Sequence, residues 1–159
     1  MAVLFASVDA VKAALPDLDE AAARVLERLL PGPYTFVVAT EVPRPELVGT
    51  PDSLGVRVPH QADLLRLLAA VDVPVAATSA NITGLPAPAT AGEVDPLVLA
   101  HCSAAVVPGA DSPAVAGVAS TVVDLRPLGQ GATPVVLREG AVAGDEVLRL
   151  ISAAGLAGC

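Results

Sequence analysis

Short runs of β-branched and apolar residues alternate along this chain with stretches whose leucines recur at helical spacing. That alternation confines the fold to strands layered with helices. Residues 7–15 and 19–30 read as amphipathic helices, the second capped by Asp17 or Asp19 and stopped by Pro31-Gly32-Pro33. Residues 34–40 alternate as a strand, and 41–54 form a Pro-, Glu- and Gly-containing loop. A short strand over 54–58 is closed by Pro59. Leu64, Leu65, Leu67 and Leu68 place a helix over 61–71, and the apolar run 73–78 follows as a strand. Farther on, the pattern predicts a helix over 91–100, strands over 104–107, 121–125 and 134–137, and a last helix over 144–153 closed late by Gly155. The expectation is an α/β domain with a mostly buried sheet.

Hydrophobic residues make up 53% of the chain and aromatics 2%, so its core must be built from Val, Leu and Ala. A length of 159 residues suits a single domain, expected over 1–155 with a short tail over 156–159. No internal repeat is visible, and the 15 prolines and 13 glycines fall in the connections. No apolar run approaches the roughly 18 residues needed to cross a bilayer, and no signal-peptide pattern opens the chain, so a cytoplasmic protein without a membrane partner is expected. Cys102 and Cys159 support neither a disulfide framework nor a metal site. The net charge of −8, with Lys12 the single lysine, argues against a surface that grips nucleic acid throughout. Any polyanion site must be local, with Arg57 and Arg138 as its candidates.

Common catalytic signatures are missing: no GxxxxGK[ST] loop, no GxGxxG after a strand, no HExxH and no GxSxG. His60 and His101 have no carboxylate frame and read as surface or structural residues. The run from Pro74 to Asn81 delivers two short polar side chains, Ser79 and Asn81, to the carboxyl end of a strand, where open α/β sheets bind ligands. The alternative is a Ser or Asx turn that merely ends the strand. Arg57 lies mid-strand among apolar neighbours and needs an anionic partner, either a ligand or an internal carboxylate. Ser120 and Arg138 stand at strand boundaries; their plain readings are a strand entry and an exposed Arg138-Glu139 pair.

Taken in order, Pro31-Gly32-Pro33-Tyr34-Thr35, Gly55-Val56-Arg57-Val58-Pro59, Ala77-Thr78-Ser79-Ala80-Asn81 with Gly84, Ser120-Thr121-Val122-Val123-Asp124 and Leu137-Arg138-Glu139-Gly140-Ala141 resemble the YrdC-like threonylcarbamoyl-adenylate synthase family from about residue 3 to residue 153. The resemblance implies an open, twisted, mixed sheet with flanking helices. It implies a nucleotidyltransferase that joins L-threonine, bicarbonate and ATP, with Mg2+ accompanying the ATP, into threonylcarbamoyl-AMP and pyrophosphate. That product would pass to tRNA-modification machinery. By the same resemblance Arg57, Ala77 and Ser120 would line the threonine site, and Ser53, Ser79, Asn81, Ala87 and Arg138 the ATP site. Ala87 stands where many members carry serine, which removes a hydroxyl from that contact. No residue is assigned as catalytic, and no metal ligand is expected. The family's Thr-x-Thr-x-Tyr-Gly-Leu and Lys-x-Arg segment has no counterpart here, so the domain is expected to be truncated at its N-terminus. On that expectation the chain alone would release little pyrophosphate. The alternative is a non-catalytic module that binds nucleotide or double-stranded RNA, the latter weakened by an acidic pI near 4.5.

Overall fold

The computed structural model describes residues 2–41, 52–71, 73–106 and 118–153. Contacts divide the chain into two compact units, one formed by Met1–Ala77 with Ser120–Cys159 and the other by Thr78–Ala119.

The first unit holds a six-stranded sheet. Its strands are β1 (Ala2–Leu4), β2 (Tyr34–Ala39), β3 (Ser53–Arg57), β4 (Val75–Ala77), β5 (Thr121–Asp124) and β6 (Val135–Arg138), arranged in the order β4-β1-β3-β2-β5-β6. The sheet is mixed: β1 with β3 and β2 with β5 are parallel, and the other three pairs are antiparallel. Its helices are α1 (Val8–Ala14), α2 (Glu20–Leu29), α3 (Ala62–Val71) and α5 (Gly144–Ala153), while α4 (Pro96–Ala100) belongs to the second unit.

Local chemistry explains the helix ends. The Ser7 hydroxyl accepts from the Ala10 amide at 3.1 Å, and Asp19 Oδ1 from the Ala22 amide at 3.0 Å, each capping a first turn. Helix α2 stops at Leu29 because Pro31 forces the residue before it out of the helical region, and Leu30 is extended at φ −105°, ψ 143°. Along α2 the buried residues Ala22, Val25 and Leu26 follow the i, i+3, i+4 spacing of one face.

Register places the core. Val3, Val56, Phe36, Val123 and Val136 stand side by side across β1, β3, β2, β5 and β6. The first four are 0–1% exposed and Val136 packs against their cluster. Val11, Leu15, Val25, Leu26, Val147 and Ile151 of the helices join the same cluster. Each such fully buried side chain contributes about 1.5 to 3 kcal/mol. The outer strands are less covered than a mostly buried sheet implies: Val135 and Leu137 of β6 are 50% and 54% exposed.

Two expectations need correction. Residues 91–100 are not one helix but a 3-10 turn at Ala91–Glu93 followed by α4, because Pro96 lacks the N–H a continuous helix requires and Asp95 caps a new start through the Leu97 amide at 2.8 Å. Among the described residues, 104–106 pair with no strand, and 107 lies outside them, as does Gly155. One element went unforeseen, a 3-10 turn at Arg126–Gln130 that ends on Gly131 at φ +70°, where glycine avoids the penalty of a left-handed backbone.

Candidate functional site

Period-two alternation dictates the composition of the sheet's other face. Next to the core row lies a second row, Leu4, Arg57, Thr35, Val122 and Arg138, whose side chains point the opposite way. Arg57 reaches this face because Leu54 and Val56 take the core side of β3, leaving Ser53, Gly55 and Arg57 on the other.

Arg138 needs a special device to arrive there. In a regular ladder the pairing of Val123 with Val136 would put Arg138 opposite Thr121, whose side chain is fully buried. A register shift between Val122 and Val123 inserts one extra residue in β6, so Arg138 pairs with Val122 instead. Bulges re-aim side chains in this way. Arg138 Nη2 then donates to the Ser120 carbonyl at 2.8 Å and to Ser120 Oγ at 3.3 Å. The Ser120 hydroxyl lies 2.8 Å from Thr35 Oγ1. Glu139 turns away from its neighbour and accepts from the Gly144 amide at 2.8 Å, so the Arg138-Glu139 pair is replaced by a cap on α5.

Arg57 is half-buried, and among the described residues its Nε has no hydrogen-bond partner. Among the described residues no carboxylate forms an ion pair with it. Burial first, and the like charge of Arg138 second, push its pKa down, so the charged guanidinium is under-compensated where it stands. A guanidinium keeps its proton even in such a place, so a buried one calls for an anionic partner. An oxyanion between Arg57 and Arg138 would relieve both penalties at once.

The remaining sequence candidates fall in two groups. Ser53, 9% exposed, shares the face of Arg57 but lies four residues along β3, about 13 Å away by strand rise. Ala77 pairs with Ala2 on β4, on the same face by register. Ser79, Asn81 and Ala87 belong to the second unit. There Ser79 and Ala87 are exposed, while Asn81 Nδ2 donates to the carbonyls of Ile82 at 3.0 Å and Leu85 at 2.7 Å. This Asx-type turn, with Gly84 at φ +88°, leaves Asn81 Oδ1 buried with no donor among the described residues. Thr35 carries no signal of its own as a site candidate, although the alternation of 34–40 puts it on the face away from Phe36 and Val38.

Other polar groups are committed elsewhere. Lys12 bonds Glu27 at 2.6 Å on the surface. His60 and His101 are exposed, and His101 Nδ1 meets the Leu97 carbonyl at 2.7 Å. Cys102 is free and exposed. Toward the far ends of β2 and β5 a cavity of about 500 Å³ is lined by Thr40, Glu41, Asp52, Asp124, Arg126 and Gln130 among others. Its Asp124 is held by Arg126 through Nη2 at 2.7 Å and Nε at 2.9 Å.

Residues 1–140 match the family model for Sua5, YciO and YrdC proteins, described as "Telomere recombination". Threonylcarbamoyl-AMP synthase of Pyrococcus abyssi is 32% identical over 149 residues, covering 92% of this chain and 41% of the relative. The solved structure of P. abyssi Sua5 complexed with L-threonine superposes with a TM-score of 0.70 at 27% identity, over 94% of this chain and 42% of that one. Escherichia coli YciO gives 0.65 at 26% identity, over 92% of this chain and 68% of that one. The chain thus spans about two-fifths of the P. abyssi protein's length. With the family model matched over most of its length and the same mixed, flanked sheet in solved relatives, this chain belongs to the Sua5/YciO/YrdC family.

Proposed function

We propose that this domain binds L-threonine and ATP for the synthesis of threonylcarbamoyl-AMP, with the row from Arg57 to Arg138 receiving the amino acid and one edge of the nucleotide. The observation that carries the reading is the buried Nε of Arg57, which has no partner among the described residues and feels the like charge of Arg138. The P. abyssi relative is named for this reaction, and its structure with L-threonine spans nearly all of this chain.

In the reaction the threonine amine takes up carbon dioxide from bicarbonate as a carbamate. A carbamate oxygen then bonds to the α-phosphorus of ATP as the bond to the β-phosphate oxygen breaks, and pyrophosphate leaves. Negative charge accumulates at the α-phosphate, so fixed cations lower the barrier. Arg57 would grip the threonine carboxylate in its fork, with Ala77 and Ser120 lining the amino acid. Arg138, tied to Ser120, would face the nucleotide with Ser53, and within the second unit Ser79, Asn81 and Ala87 are the residues that the family resemblance assigns to ATP. Among the described residues no cluster of three or more His, Cys, Asp or Glu could hold a metal. Mg2+ accompanying ATP would supply further positive charge to the phosphates. The product would serve tRNA modification.

Calorimetric titration tests the reading. The wild-type chain should bind both L-threonine and ATP, and a well-folded chain that takes up neither would overturn it.

A further inference from the structure

Thr35 closes the motif that begins at Pro31, and it is 5% exposed at the centre of the arginine row. Its Oγ1 lies 2.8 Å from Ser120 Oγ, itself on a residue 5% exposed, and Ser120 Oγ accepts from Arg138 Nη2 at 3.3 Å. Two hydroxyls bring two protons, and the one contact between them engages one. A guanidinium only donates, so the Arg138 contact engages neither. Whichever hydroxyl donates to the other, one proton is left, and among the described residues it has no acceptor. A buried donor without an acceptor costs free energy that a ligand oxygen recovers.

We propose that Thr35 is a positioning residue, which fixes the Ser120 hydroxyl beside Arg138 so that the pair presents one hydroxyl proton to an oxygen of the bound amino acid. The inference rests on the threonine reading above and deepens it. Geometry supports fixation, because Ser120 is held from two sides, by Thr35 through its hydroxyl and by Arg138 through both its carbonyl and its hydroxyl. An apolar group lodged against this pair would leave the proton unmatched, and sites that donate to a substrate oxygen reject analogues lacking it far more strongly than apolar pockets reject a methylene.

The test titrates L-threonine, L-2-aminobutyrate and ATP into wild type, Thr35→Val and Thr35→Ser. Thr35→Val should weaken L-threonine binding about tenfold or more while ATP binding stays within about twofold, and Thr35→Ser should restore the affinity. If the acceptor is the substrate's side-chain hydroxyl, Thr35→Val also loses the preference for threonine over 2-aminobutyrate. If it is the carboxylate, both amino acids weaken alike. Unchanged threonine affinity in Thr35→Val, or an equal loss in Thr35→Ser, would overturn the positioning role. A wild-type chain that binds no amino acid would instead overturn the threonine reading, and this inference with it. Should Thr35→Val fail to fold, the wild-type NMR spectrum decides. L-threonine should slow the exchange with water of a hydroxyl proton of the Thr35-Ser120 pair, and unaltered exchange would refute the proposal.

Discussion

Arg57 and Arg138 stand on one face of the sheet with β2 and β5 between their strands, and the charge of Arg138 adds to burial in making a charged Arg57 unfavourable. Two like charges held across a pair of hydroxyls form an arrangement whose strain an anion removes. The features that create it are the alternation of β3 and one extra residue in β6.

Gly144 sets the start of α5 against that extra residue's strand. A Cβ there would lie 2.7 Å from Glu139 Oε1 and 2.7 Å from both methyls of Val136. In most helices Gly→Ala stabilises, yet here Val136 belongs to the core row and has little room to yield. We predict that Gly144→Ala destabilises by about 1 to 3 kcal/mol in urea unfolding. A gain in stability would show that β6 gives way freely.

The Asp124-Arg126 pair makes a prediction about acid. The Arg126 side chain, through its hydrogen bonds, holds the Asp124 carboxyl below its ordinary value, with burial opposing. Stability from this pair is therefore complete above the unfolded carboxylate pKa of about 3.9 and is lost as pH falls through the lower folded value. Because the Arg126 side chain is 40% exposed, the effect is modest, and Arg126→Ala should cost about 1 kcal/mol at neutral pH. The gap between the two proteins should close below about pH 4, and a gap that widens in acid would contradict the assignment.

Asp17 and Asp19 are separable. Asp19 caps α2 through the Ala22 amide, whereas Asp17 accepts from the Thr40 hydroxyl and the Glu41 amide at the end of β2. Asp19→Ala should cost about 1 kcal/mol and speed hydrogen exchange in the first turn of α2. Asp17→Ala should leave that turn protected and speed exchange at Glu41. The reverse pattern would exchange their roles.

These cases mark what the sequence makes legible. Helices α1, α2, α3 and α5 and strands β2, β3 and β5 follow from apolar period, caps and proline stops, all local signals within a few residues. The break at Pro96 was equally local, and an apolar count over 91–100 passed over it. The Thr35-Ser120 contact spans 85 residues, and strand order decides it rather than any nearby pattern. The shift that aims Arg138 leaves no mark in Val135–Arg138 itself, since a bulge is defined by its partner strand. Motif order drew attention to Arg57, Ser120 and Arg138, but only pairing shows that Arg57 lacks a carboxylate partner among the described residues.

The role proposed for Arg57 is that of a ligand cation rather than half of an internal ion pair. Titration of L-threonine and of ATP into wild type and Arg57→Ala, with thermal melts alongside, tests it most directly. Loss of a charge-assisted, two-pronged contact should weaken L-threonine binding by roughly 10- to 100-fold, with a smaller effect on ATP. Removing a buried cation that repels Arg138 should leave the melting temperature unchanged or raise it. Equal weakening of both ligands together with a lower melting temperature would show that Arg57 supports the fold, and the claim would fail.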